Sequence, residues 1–249
     1  LGDVYKRQGE GGPGEDTVRR LQRKPLSKKS TDALKRLTAQ VHRARSAKAR
    51  QSAVARSWKN KPRAAFDEVK EKLSAMATGR SRCMYCEDSA GTDIEHFYPK
   101  SKYPERAFRW DNYLWACSHC NSNRKRTQFP LLRGRRPALI DPTAVDPAAH
   151  LKLVPSTGEF VAIGPRGQKS IEVFGLNDHR APRDLPRGRR EAFLKLQILL
   201  QAYDRELRAG RKAKASLRKD IIRNEPFSAV LTWLVAIAHG PRSGHEVLD

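Results

Sequence analysis

The sequence predicts an α+β fold in which a β-hairpin and a short helix form a pinned core inside a mainly helical frame. Three observations lead there. All four cysteines fall in two Cys-x2-Cys pairs, Cys83/Cys86 and Cys117/Cys120, the spacing that builds a tetrahedral thiolate zinc site. The thirty residues between the pairs exceed what a simple finger needs and leave room for a hairpin. On both sides of this region apolar residues recur every three or four positions, the helical period.

The elements follow in order. The first eight residues, LGDVYKRQ, read as a translated adapter and are set aside from the fold. With the first methionine at Met76, the native start is expected upstream. Gly9 to Ser30, rich in Gly, Pro and charge, reads as a disordered tether. Leu34, Leu37 and Val41 begin a helix expected over 31–58, with a narrow apolar stripe and a strongly basic face. After Pro62, Phe66, Val69, Leu73 and Met76 mark a second helix that leads through Gly79 to Cys83. Residues 82–126 form the metal region. Beyond it, Ala138-Leu139-Ile140, Phe160-Val161-Ala162-Ile163 and Ile171-Glu172-Val173-Phe174 read as short strands between turns. Gly167-Gln168-Lys169-Ser170, placed between strands, lacks the spacing of a phosphate loop, so no nucleotide site is expected. Phe193, Leu196, Leu200, Tyr203 and Leu207 share a helix face; Leu217, Ile221 and Ile222 mark another helix. A third is expected over 227–239, with a charge-free stretch shorter than the roughly 20 residues that span a bilayer. The expected organisation is therefore a tail over 1–30, basic helices over 31–80, the zinc core over 81–130, strands and loops over 131–185, and helices over 186–249.

Charge narrows the partner. Lys and Arg number 50 against 27 Asp and Glu, a net +23, an excess that favours a polyanion such as DNA. With every cysteine in a knuckle, reduced thiolates on zinc fit a cytoplasmic location better than a disulfide framework.

Within the metal region, Glu95-His96 lies between the knuckles and Asn121 follows the last cysteine. For phosphodiester hydrolysis, His96 suits a general base because its ordinary pKa leaves it mostly neutral at pH 7. Glu95 and Asn121 offer hard oxygen ligands to Mg²⁺ or Mn²⁺. Adjacent strand residues point to opposite faces, so Glu95 and His96 converge on one ion only if the strand ends at His96. Lys100, Lys102, Arg124 and Lys125 lie close enough in sequence to hold phosphate. The same residues also admit a non-catalytic zinc ribbon that binds DNA as an adaptor.

Ile94-Glu95-His96-Phe97-Tyr98-Pro99-Lys100-Ser101, Phe108-Arg109-Trp110-Asp111-Asn112 and Cys117-Ser118-His119-Cys120-Asn121 together resemble the three-part motif of the HNH endonucleases. The resemblance implies a ββα-metal HNH core, with His96 as general base, Glu95 and Asn121 as metal ligands and Asn112 as the residue that orients the hairpin loop. Asn121 stands where the family name has its second His, and Glu95 where Asp is more usual. The stretches CMYCED, IEHFYPKSKYPERAFRWDN, LIDPTAVDPAAHL and IEVFGLNDHR are similar to the HNH component of Septu-type anti-phage systems, which implies a partner ATPase encoded alongside.

Overall fold

The computed structural model describes residues 20–180, 183–231 and 234. Residues 1–19 of the expected tail lie outside that range. From residue 20 the chain departs from the expected tether. Leu21 is buried, with its N–H on the Pro142 carbonyl. Arg23 donates to the carbonyls of Trp110, Asp111 and Tyr113 at 2.9–3.0 Å. A guanidinium with five donors can hold three carbonyls at once, and that grip orders a segment whose composition argued for disorder.

Helix α1 spans Lys28–His42. Ser27 caps it through a hydroxyl that accepts from the Ser30 N–H, and Ala33, Leu34, Leu37 and Val41 line its buried face. The helix expected over 31–58 is two: α2 runs Ala47–Lys59 from a fresh N-cap at Ser46, whose hydroxyl accepts from Ala49 N–H. A serine that satisfies an open helix donor starts a new helix as readily as it joins an old one. The break folds α2 back so that Ala53 and Val54 are buried as well. Helix α3, Arg63–Met76, buries Phe66, Val69, Leu73 and Met76 as the spacing predicts. Removing Val69 and Leu73 from water contributes about 1.5–3 kcal/mol each.

The metal region follows. Strands β1 (Asp93–His96) and β2 (Tyr113–Ala116) pair antiparallel, Glu95 opposite Leu114 and His96 opposite Tyr113. Gly91 fits under the Trp115 indole, where a Cβ would come within 2.1 Å of the ring. Trp115 is buried beneath the hairpin, whereas Trp110 lies at the edge and donates to the Lys24 carbonyl. After β2 the chain enters a π-helix, His119–Lys125.

Beyond this core two expectations change. Ala138-Leu139-Ile140 is buried but forms no strand; Ile140 N–H goes to the Ser170 hydroxyl. Ile171–Phe174 is the end of a helix. Strands β3 (Leu151–Val154) and β4 (Glu159–Ala162) form a second hairpin, then α4 covers Gly164–Phe174. Two β-branched residues and a phenylalanine suggested a strand, but the buried positions Gly167, Ser170, Val173 and Phe174 keep helical spacing, and tertiary burial outweighs propensity. The Gly-Gln-Lys-Ser run therefore lies inside a helix, not between strands. Gly175, at φ +60°, ends it in the left-handed conformation that glycine tolerates. Helices α5 (Leu185–Arg208) and α6 (Lys212–Asn224) pack side by side, with Leu196, Leu200, Tyr203 and Ile222 buried. Residues 228–231 and 234 are helical, Phe227 is not, and the remainder of the helix expected over 227–239 lies outside the described residues. Among the described residues no helix is long and apolar enough to cross a membrane.

Candidate active site and metal centre

The two knuckles meet. Cys83, Cys86, Cys117 and Cys120 are all buried, and their sulfurs lie within 4.8 Å of one another. The Cys86 and Cys117 sulfurs are 3.9 Å apart. A disulfide holds its sulfurs at about 2.05 Å, whereas Zn–S bonds of about 2.3 Å place tetrahedral sulfurs ~3.8 Å apart. The donor set therefore fits a closed structural zinc site. Arg183 donates from Nη2 to the Cys86 sulfur at 2.9 Å, a charge that favours the thiolate form.

The site residues sort by strand face. On one face, the Glu95 Oε1 is 2.5 Å from the Lys125 Nζ, and that Nζ also donates to the His96 carbonyl at 2.8 Å. Both side chains are buried. Burial raises the Glu95 pKa and lowers that of Lys125, and each charge opposes the other's shift. Lys125, expected to hold phosphate, is 0% exposed and committed to this pair. The same face carries Asp93, whose carboxylate accepts from the Asn121 amide at 3.0 Å. Asp93 escaped the sequence reading, although strand alternation puts it on the Glu95 face.

His96 lies on the other face. Its ring stands 4.6 Å from the Trp58 ring and 5.2 Å from that of Tyr113, and it is 5% exposed. Strand β1 does end at His96, yet the register is kept to that residue, so Glu95 and His96 turn to opposite sides. The His96 Nε2 is 3.0 Å from the Ala107 carbonyl. A carbonyl only accepts, so Nε2 carries the proton and Nδ1 keeps its lone pair. Burial, then the nearby Lys100 charge, lower the ring's pKa to about 3, and the imidazole stays neutral. Trp58, a half-buried residue that periodicity marked only as the end of a helix, is flanked by the ammonium groups of Lys61 at 4.8 Å and Lys100 at 5.1 Å from its ring centre.

Asn112 is buried and fully bonded. Its Oδ1 accepts from Tyr98 N–H at 2.7 Å, and its Nδ2 donates to the carbonyls of Tyr98 and Arg106. That side chain ties the two ends of the hairpin loop together. Lys100 is half-buried, Lys102 exposed, and Arg124 is paired with Asp178. The structure thus brings Asn121 to Asp93 and Lys125 to Glu95, and seats His96 against Trp58, Tyr113 and the Ala107 carbonyl.

Oxygen donors gather at one end of this seam. Asp93 and Asn121 are both partly exposed and present a carboxylate and an amide, the kind of oxygen donors Mg²⁺ takes together with retained waters. At the other end Lys125 already supplies the positive charge that Glu95 requires.

One comparison agrees with the Septu resemblance of the sequence. The Septu protein PtuB of Bacillus thuringiensis is 30% identical to this chain over 113 residues. The match covers 43% of this chain and 40% of the PtuB length. No family model and no solved structure matched.

Proposed function

We propose that this chain is a metal-dependent HNH endonuclease that hydrolyses DNA phosphodiester bonds as an effector of anti-phage defence. The observation that carries the reading is the fixed His96 tautomer, an acceptor nitrogen held on a rigid ring one residue from an acidic, oxygen-rich strand face. In this reading the Nδ1 of His96, its ring held by the Nε2–H bond to Ala107, takes the proton of the attacking water once the substrate carries the scissile phosphate round the end of β1 to the His96 face. Asp93 and Asn121 would hold Mg²⁺ or Mn²⁺, which when bound stabilises charge on the scissile phosphate. Asn112 fixes the loop that carries Ala107, and the zinc knuckles fix the π-helix that carries Asn121.

A second reading, a non-catalytic zinc-ribbon DNA-binding adaptor, draws support from the closed Glu95–Lys125 pair and the cover of Trp58 over His96. The His96→Ala variant separates the two. With Mg²⁺ or Mn²⁺ and supercoiled plasmid, wild type should nick, and the variant should lose about 10²–10⁴ in rate while keeping its zinc. Equal cleavage by both proteins would remove His96 from the mechanism; no cleavage by either would favour the adaptor.

The similarity to a Septu protein supports a role beside a genetically linked ATPase in the cytoplasm. The surface proposed for that partner lies on the paired helices α5 and α6, where Leu194, Ile198 and Leu217 are 60–65% exposed. Co-expression with the neighbouring ATPase gene should co-purify the pair, and Leu194→Glu with Ile198→Glu should release it.

A further inference from the structure

A cavity of about 410 Å³ opens between the π-helix and residues Gly175, Asp178, Arg180, Arg183 and Leu185. Its wall includes His119, Arg124, Arg180, Arg183 and Asp178, three guanidinium groups against one carboxylate. These cations are set in place by other groups. Asp178 accepts a two-point fork from Arg180 at 2.8 and 2.6 Å and also pairs with Arg124. Arg124 donates its Nε to His119 Nε2 at 3.4 Å. Accepting there leaves Nδ1 of the neutral His119 as a donor. The Arg124 guanidinium lies against Gly175, where a Cβ would come within 2.6 Å of it. Arg183 is anchored through Nη2 to Cys86 and Asp88, and its Nε is buried with no hydrogen-bond partner among the described residues.

A buried donor without an acceptor is costly, and in a wall of preorganised guanidinium groups the acceptor it calls for is an anionic oxygen. Planar forks held in fixed orientation suit phosphate better than a carboxylate on a flexible chain. We infer that this notch is a phosphate-binding site that grips the backbone of the nucleic-acid strand, away from the bond to be cut. The assignment rests on the nuclease reading only for the identity of the phosphate carrier. Arg124 shares the π-helix with Asn121, so the same helix that offers an oxygen ligand on one side offers a backbone grip on the other. Such contacts set register and add affinity without reading sequence.

The test measures binding alone. A short fluorescein-labelled DNA duplex is titrated with full-length protein by fluorescence anisotropy across a salt series, in buffer free of divalent ions. Arg180→Ala, 78% exposed at its side chain, and the double variant Arg124→Ala/Arg180→Ala are compared with Arg208→Ala. Arg208 is an equally charged residue at the far end of α5, ~36 Å along the helix from the notch by helical rise. The single notch variant should weaken binding several-fold and flatten the slope of log K against log[salt] by about 0.9 for each phosphate it no longer neutralises. The Arg208 variant should match wild type. Zinc content and thermal melting confirm that each variant is folded, and the exposed Arg180 keeps the test alive if the double variant is not. Duplex affinity unchanged in Arg180→Ala would overturn the inference. So would ATP or pyrophosphate binding wild type but not Arg180→Ala while leaving the duplex undisplaced at millimolar concentration, since the notch would then serve a free nucleotide or diphosphate. Notch variants that bind weakly, with a wild type that never cleaves, would leave the notch standing and sink the nuclease.

Discussion

The zinc-side seam and the helical flanks are stabilised in opposite ways. Between Cys83 and Lys125 a few polar side chains each carry a large share of the structure: four thiols, one buried ion pair, one threefold-bonded asparagine. In the flanks, α1–α3 and α5–α6, many apolar side chains each carry a little. The seam should fail abruptly when one residue changes, whereas the flanks should lose stability in increments. Concentrated chemistry also holds functional groups more rigidly than distributed packing, and the acidic strand face, His96 and Asn121 all lie in the seam.

The sharpest way to break the comparison is to remove the metal. The protein should carry one tightly held zinc. Structural zinc supplies about 10–16 kcal/mol of apparent binding free energy in small peptide domains, so Cys117→Ser or chelation should unfold the seam outright. Metal analysis with circular dichroism reads this, and a folded protein without zinc would refute the assignment. Next in size is the Glu95–Lys125 pair. Lys125→Met strands a buried carboxylate and should cost about 3–5 kcal/mol in urea unfolding. Adding Glu95→Gln should recover much of it, because the uncompensated charge goes. If the double variant is no more stable than the single, the pair does not act as a unit.

That pair also marks where the sequence stopped being legible. Cysteine spacing announced a four-thiolate metal site because each Cys-x2-Cys turn sets two ligands side by side, and the fold then brings the two turns together. Phe66, Val69, Leu73 and Met76 announced α3 because burial of one face requires that period. Lys125 announced only a phosphate contact. A lysine beside an Arg on a basic chain reads as a surface charge, and only the approach of β1 to the π-helix, a tertiary event, buries it against Glu95. The tether at 20–27 fails for the same reason, since its order comes from Arg23 reaching carbonyls almost ninety residues away. The strand expected at 171–174 failed because β-branched residues mislead when packing, not propensity, decides.

The flanks should respond more mildly. Leu196 is fully buried on α5 and Leu194 is 60% exposed. Leu196→Ala should cost about 2–5 kcal/mol, and Leu194→Ala less than about 0.5 kcal/mol. Equal losses in denaturant midpoint would mean that the exposed face is covered in solution, by a second copy or by the remainder of the chain.

The smallest effect expected is at Glu68, and it is visible only through pH. Its carboxylate accepts from the Ser27 N–H at 2.7 Å and from the Ser27 hydroxyl at 2.6 Å, with the Ser30 hydroxyl as a third donor. These bonds, the Ser27 hydroxyl first, draw its pKa down to about 2. A carboxylate whose folded pKa lies below the unfolded value stabilises the fold above the unfolded pKa, about 4.3 for Glu, and loses that contribution as pH falls towards 2. The group is largely solvated, so screening trims the effect. Glu68→Gln keeps an acceptor for the Ser27 N–H but cannot titrate. Melting temperatures should therefore fall less for the variant than for wild type between pH 4.5 and pH 2, with the two curves parallel above pH 5. Parallel curves throughout would show that the α1 cap takes nothing from the charge on Glu68, and that the joint between α1 and α3 rests on apolar packing alone.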